Sequence, residues 1–185
     1  MNDIVSIASP ASRDLVRSLR AGDRVELTGE VLVFRDEVHR ILCGLIERGE
    51  PLPFDLDGAA VYYCGPTPAR GGRPVGSAGP TTSSRMDRFT GPLLARGLAL
   101  TIGKGGRSNE VRELISRHGA AYLAATGGVG ALLARHVTAS RVLAYPELGP
   151  EAARMFTVTR MPLIVGCDSS GGSAFAENME NFPIL

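Results

Sequence analysis

The densest chemistry in the sequence lies in Gly79-Pro80-Thr81-Thr82-Ser83-Ser84-Arg85-Met86-Asp87. Gly-Pro makes a rigid turn, because proline fixes φ and glycine tolerates conformations other residues resist. Four hydroxyl residues follow, and Ser83 or Ser84 would cap a helix carrying Met86 and Phe89 one turn apart. A helix start with free N–H groups, hydroxyls and one guanidinium favours a bound anion. The same residues also suit an ordinary capped helix after a turn, since serine and threonine are frequent there.

Two further places carry a cation between an apolar run and a helical pattern. Arg35-Asp36 follows an apolar alternating stretch at residues 24–34 and precedes a helical pattern, so it sits at a strand-to-helix junction. Gly103-Lys104-Gly105-Gly106 likewise separates an apolar run from a helix. The phosphate-loop spacing G-x-x-x-x-G-K-[ST] is not met there, which leaves a lysine acting as a point charge for a carboxylate. The glycines at 127, 128 and 130 do not complete a dinucleotide fingerprint. Cys43, Cys64 and Cys167 are widely separated with no C-x-x-C, and Cys43 falls on the apolar face of a predicted helix. They read as structural thiols rather than cluster ligands or a disulfide framework.

The elements that must position these groups alternate between strand and helix. Strands are predicted near residues 4–7, at 24–34 with an interruption at Gly29, and at 59–64, 98–102 and 122–125. Further ones are expected at 137–144, 155–159 and 163–166. Val38, Ile41, Leu42, Leu45 and Ile46 mark one helical face closed by Gly49 and Pro51. A helix capped by Ser108 or Asn109 ends at His118-Gly119, and another runs over 131–136. Two short helices, broken near Gly91-Pro92, are expected between Ser84 and Gly97. His118 and His136 fall near helix C-termini, where they complement the dipole. Residues 65–74 form a loop rich in glycine and proline.

Alternating strands and helices predict an α/β layered domain, and 185 residues suffice for one core. Residues 1–185 read as a single domain, with 1–20 as a peripheral lead-in and 173–185 as a peripheral tail. A net charge of +1 argues against a nucleic-acid binder. No apolar run reaches the length of a membrane span and no signal pattern opens the chain, so a cytoplasmic protein is expected, with no membrane partner.

Gly79-Pro80-Thr81-Thr82 with Arg85-Met86-Asp87 resembles the signature of the β region of iron–sulfur hydro-lyases, the class I fumarase and tartrate dehydratase family. Phe34-Arg35-Asp36 with His39, Tyr63-Cys64-Gly65-Pro66-Thr67-Pro68, Ile102-Gly103-Lys104-Gly105, Gly127-Gly128, and Glu147-Leu148-Gly149 with Glu151-Ala152 match in order, from about Gly22 to Asp168. The resemblance implies a swivelling β/β/α domain with a mixed central sheet flanked by helices. It implies the β subunit of a hydro-lyase, reversibly hydrating fumarate to malate, with tartrate or another hydroxy-dicarboxylate as the alternative substrate. Arg35, Arg85 and Lys104 would bind carboxylates and Thr81 would abstract the proton, with Thr82, Asp36 and His39 as supporting residues. A 4Fe-4S cluster would be bound by a partner α subunit in an αβ or α2β2 complex, with no metal ligand in this chain. The Gly65-Pro66-Thr67-Pro68-Ala69 loop favours fumarate over tartrate. A non-catalytic carboxylate- or phosphate-binding module is the reading from another class.

Overall fold

The computed structural model describes residues 4–69 and 71–175. Val5–Ser9 form strand β1, and Arg13–Ser18 form helix α1. Residues 5–18 therefore add a strand and a helix to the sheet and its core, rather than forming a peripheral lead-in. Ile7, Val16 and Leu19 are buried, and β1 runs parallel to β2 (Arg24–Val33) from Val5 opposite Val25 to Ser9 opposite Gly29. The strand expected near residues 4–7 is thus present, and pairing with β2 carries it on to Ser9.

The remaining strands are β3 (Ala60–Tyr62), β4 (Leu100–Gly103), β5 (Ala121–Ala124), β6 (Val137–Ala144) and β7 (Ala153–Cys167). They form one mixed sheet in the order β1-β2-β3-β4-β5-β7-β6. β2, β3, β4 and β5 run parallel to one another. β7 runs antiparallel to β5, to β6 and also to β2. Because β7 joins both β5 and β2, the sheet curls and closes in a barrel-like way.

One long β7 replaces the two strands expected at 155–159 and 163–166. The residues that read as a break, Arg160 to Pro162, form a bulge. Arg160 has φ 48°, and three steps of β7 from Val158 to Met161 face two of β2 from Leu27 to Gly29. The extra residue flips the face that follows it. Phe156 and Val158 are buried before it, and Met161, Leu163 and Val165 after it. Gly29 on the opposing strand has φ 122°, and a Cβ there would lie 2.3 Å from the Ser9 carbonyl oxygen.

Helix α2 (Asp36–Glu47) buries Val38 and Leu42 of its expected apolar face together with His39 and Cys43, while Ile41, Leu45 and Ile46 are half-buried. A 3₁₀ turn, Ser83–Met86, runs into α3 (Asp87–Ala95). The helix break lies at that junction and not near Gly91-Pro92: Pro92 sits inside α3, where burial of Phe89, Leu93 and Leu94 holds the helix despite the missing N–H. α4 (Asn109–His118) is capped by Ser108, whose Oγ accepts from the Val111 N–H at 3.3 Å. α5 (Gly130–Leu133) continues into a 3₁₀ turn, Ala134–His136. Among the described residues, no helix is long and apolar enough to cross a membrane.

Two clusters form the core, one on each face of the curled sheet. Val16 and Leu19 of α1 join Leu27, Val33, Ile102, Phe156 and Val165 on one side. Residues of α2, α3 and α4 join Leu32, Val61, Tyr63 and Tyr122 on the other. Of the expected tail, Phe175 stacks on Tyr122 with centroids 6.3 Å apart, and residues 176–185 lie outside the described residues.

Candidate active site

Chain crossings at the carboxyl ends of parallel strands leave a crevice, the usual ligand position in α/β sheets. Here Arg35 follows β2, Gly65 follows β3, Lys104 follows β4 and Gly128 follows β5. With Ser77, Gly79, Pro80, Thr81, Thr82, Arg85 and Gly130 they line one open cleft of about 480 Å³. Arg35, Arg85, Lys104, Thr81 and Thr82 thus meet in one place, although up to 69 residues separate Arg35 from Lys104.

The segment carrying Thr81 is wedged between the extended ends of β3 and β4. Thr81 N–H donates to the Tyr63 carbonyl at 2.7 Å, its own carbonyl accepts from Lys104 N–H at 3.1 Å, and Ser83 N–H donates to the Lys104 carbonyl at 2.9 Å. Gly103 must be small, since a Cβ there would lie 2.2 Å from Ser83 Oγ and 3.1 Å from the Thr81 carbonyl oxygen. Thr81 is 8% exposed, which leaves its side chain at the cleft wall with its backbone fixed on both sides.

The turn is not the capped helix start expected from its hydroxyls. Thr82 occupies the cap position, and neither the 3₁₀ turn nor α3 receives a side-chain cap hydrogen bond. Ser83 is buried and donates to Tyr122 Oη at 3.0 Å, and that hydroxyl donates to the Gly105 carbonyl at 2.7 Å. The N–H groups of Thr81 and Ser83 are taken by carbonyls. Anion binding here therefore falls chiefly to the three cationic side chains. Arg85 lies within the 3₁₀ turn, whereas Arg35 is the residue before α2.

Each arginine of the cleft has a carboxylate partner. Arg85 donates from Nε and Nη2 to Asp36 at 3.1 and 2.7 Å, a bidentate pair. Arg35 Nη2 lies 2.5 Å from Glu151 Oε1. Lys104 has no ion pair among the described residues. Three cations against two carboxylates leave the cleft one positive charge in surplus.

His39 does not line the cleft. Its ring is buried against Phe34, Tyr63 and Phe89, with Nδ1 2.9 Å from the Arg35 carbonyl oxygen and Nε2 without a partner among the described residues. Nδ1 must carry the proton in the neutral ring to donate to that carbonyl. Burial lowers its pKa from 6.5 to about 4, the Arg35 carbonyl opposing and the Arg107 charge adding to the shift. A helical face of α2 explains this placement: His39 falls beside Leu42 and Cys43, on the side that packs inward.

Behind the cleft stands a residue that sequence reasoning missed. Arg107 is fully buried and bonds Asp87 Oδ1 at 2.7 Å, Thr90 Oγ1 at 2.6 Å and Thr101 Oγ1 at 3.2 Å, with its guanidinium over the Tyr63 and Tyr122 rings. Asp87 also accepts from Ser108 N–H at 2.9 Å. This hub locks the turn after Lys104 to the start of α3, and so fixes Lys104 relative to Arg85. The stretch Arg85-Met86-Asp87 divides its work: Arg85 enters the cleft, Met86 enters the core and Asp87 holds Arg107. An isolated arginine in a glycine-rich turn gives no sign of burial.

The model of the family described as fumarase C-terminus matches residues 2–178. The chain belongs to this family. Fumarate hydratase 2 of Leishmania major is 35% identical over 160 residues, covering 85% of this chain and 28% of that protein. The anaerobic class I fumarate hydratase of Escherichia coli is 37% identical over 156 residues, 83% of this chain and 28% of that protein. The chain thus spans well under a third of the fumarate hydratases it matches. A putative L(+)-tartrate dehydratase subunit beta of Methanocaldococcus jannaschii is 37% identical over 168 residues, 88% of this chain and 86% of that protein. In this member of the fumarase C-terminus family, then, the cleft residues sit where four parallel strands and the Thr81 segment end together.

An iron–sulfur cluster does not fit the thiols of this chain. Cys43, Cys64 and Cys167 are all buried, and no three His, Cys, Asp or Glu side chains gather as a metal site among the described residues. Burial raises all three thiols above the usual range, Cys43 to about 11 and Cys64 to about 12. Cys43 Sγ instead approaches the Phe89 carbonyl at 3.6 Å.

Proposed function

We propose that this chain is the β component of an iron–sulfur hydro-lyase that adds water reversibly to fumarate, giving malate. The observation behind this reading is the meeting of Arg35, Arg85 and Lys104 beside Thr81 in one open cleft. A four-carbon dicarboxylate needs fixed cations at its ends, and a guanidinium fork matches carboxylate geometry. Removing a proton next to a carboxylate builds negative charge on that group, which preorganised cations stabilise. Arg35 and Arg85 would hold the carboxylates, Lys104 would supply a point charge, and Thr82 would add a hydroxyl at the rim. Thr81 would move the proton through its hydroxyl. A threonine hydroxyl does this only when a neighbour takes its proton, and Thr82 or a partner's group is the alternative actor. Asp36 would act from behind, holding Arg85 through the bidentate pair.

The surplus of one positive charge falls short of a dianion, which supports a partner α subunit that completes the site and holds the cluster. We read the domain as the swivelling β/β/α type and the complex as a cytoplasmic αβ or α2β2 assembly. A second substrate, L(+)-tartrate, is favoured by one observation: the relatives named tartrate dehydratase subunit beta are covered over 86% and 89% of their length. The test is anaerobic co-expression with an α subunit of the same family, followed by assays with fumarate, malate and L(+)-tartrate. Turnover of fumarate and malate that requires both chains is expected. An assembled complex that binds dicarboxylates yet turns over none of them would favour the non-catalytic binding module instead.

A further inference from the structure

Arg35 presents a fork to the cleft from the residue just before α2, and little in its own neighbourhood fixes that fork. Its Nε is buried without a hydrogen-bond partner among the described residues. Gly65 leaves room beside it, where a Cβ would lie 3.1 Å from Cζ. The contact that does fix it comes from far along the chain. Glu151 ends the 3₁₀ segment Pro146–Glu151 between β6 and β7, and its Oε1 meets Arg35 Nη2 at 2.5 Å.

That segment is shaped by unusual backbone at both of its turns. Tyr145, a non-glycine residue, has φ 59° and ψ 49°, and Gly149 has φ 57° and ψ −116°. A left-handed tyrosine costs conformational energy and persists only where the surroundings determine it. Leu148 and Tyr145 pack against the core cluster on the α2 side, and Arg154 Nη2 holds the Gly149 carbonyl at 3.2 Å. The outcome of all this is the placing of one carboxylate against one cleft arginine.

We propose that Glu151 is a positioning residue for substrate binding: it sets the plane of the Arg35 guanidinium through Nη2 and leaves the donors that face the cleft for a substrate carboxylate. This rests on the hydro-lyase reading. A guanidinium has five N–H donors in a fixed plane, so one anchored Nη2 orients the rest without using them up.

Two readouts test it. In the assembled enzyme, Glu151→Ala should raise KM for fumarate about tenfold or more with kcat reduced less, the scale of a lost charged hydrogen bond. Glu151→Gln should recover part of that, because an acceptor of the same length remains. A purely structural Glu151 would lower the melting temperature of both variants and leave KM unchanged, which overturns the proposal. The second readout needs no turnover. In ¹⁵N NMR of the full chain, the Arg35 Nε–Hε signal, assigned with Arg35→Lys, should be as rigid as the backbone and become mobile in Glu151→Ala. Equal mobility in both overturns the positioning role whether or not the enzyme is a hydro-lyase. Absence of turnover in the wild-type complex would count against the functional reading alone.

Discussion

Arg85 and Arg107 both flank Asp87's neighbourhood, yet their surroundings are opposite. Arg85 is 51% exposed, opens on the cleft and keeps donors free beyond its pair with Asp36. The Arg107 side chain is 0% exposed, and its guanidinium is occupied by Asp87, Tyr63, Thr90 and Thr101. A buried cation with all three nitrogens bonded within the protein serves the fold, because it does not face a ligand. An exposed cation held from one side is preorganised and still available. The difference separates the cleft wall, where changes should cost chemistry, from the hub behind it, where changes should cost stability.

The largest effect belongs to the cleft side. Thr81→Ala should lower kcat by about 10²–10⁴ in the assembled enzyme, the range for general acid–base groups, with KM nearly intact. Thr81→Ser should keep a substantial fraction, since the oxygen remains. Because α3 and its preceding turn receive no side-chain cap, the melting temperature should hardly move. A stability loss without a turnover loss would place Thr81 with the hub and break the comparison.

On the hub side, Arg107→Ala should cost about 3–5 kcal/mol of stability by removing one partner of a buried pair. Arg107→Lys should recover only part, because an ammonium cannot reach Asp87, Thr90 and Thr101 together. Urea unfolding of the chain measures both. Unchanged unfolding with lost substrate binding would move Arg107 to the functional side.

His39 sharpens the same boundary through pH. Its folded pKa of about 4 lies below the unfolded value of 6.5, so the unfolded chain takes up the proton first. Its contribution is then complete above about pH 6.5 and fades as pH falls toward 4, by up to about 3 kcal/mol. Wild type should lose urea resistance over that window, and His39→Leu should lose less. Parallel curves would mean that His39 stays accessible to protons in the folded state.

Periodicity and caps made α2 and α4 legible, because each writes a whole amphipathic face and a stop signal into consecutive residues. That Arg35 and Lys104 each follow a strand was legible too, whereas Lys104 was grouped with the two arginines only through the family resemblance. Other features were set by partners distant in sequence. β7 looked like two strands because a bulge at Arg160 shifts its alternation by one, and only β2 opposite it restores continuity. Ser83 looked like a cap, but the β3 and β4 ends carry it to Tyr122. Arg107 and Glu151 owe their roles to contacts 20 and 116 residues away, a distance no local pattern spans.

Arg85→Ala tests the account most directly, because it removes the open member of the compared pair. In the assembled enzyme kcat/KM for fumarate should fall by at least about 2 kcal/mol of transition-state stabilisation, and Arg85→Lys should rescue poorly. The melting temperature should stay close to wild type, since an ion pair as exposed as Arg85–Asp36 contributes about 0–1 kcal/mol. Wild-type kcat/KM in an Arg85→Ala enzyme that melts markedly lower would contradict the account.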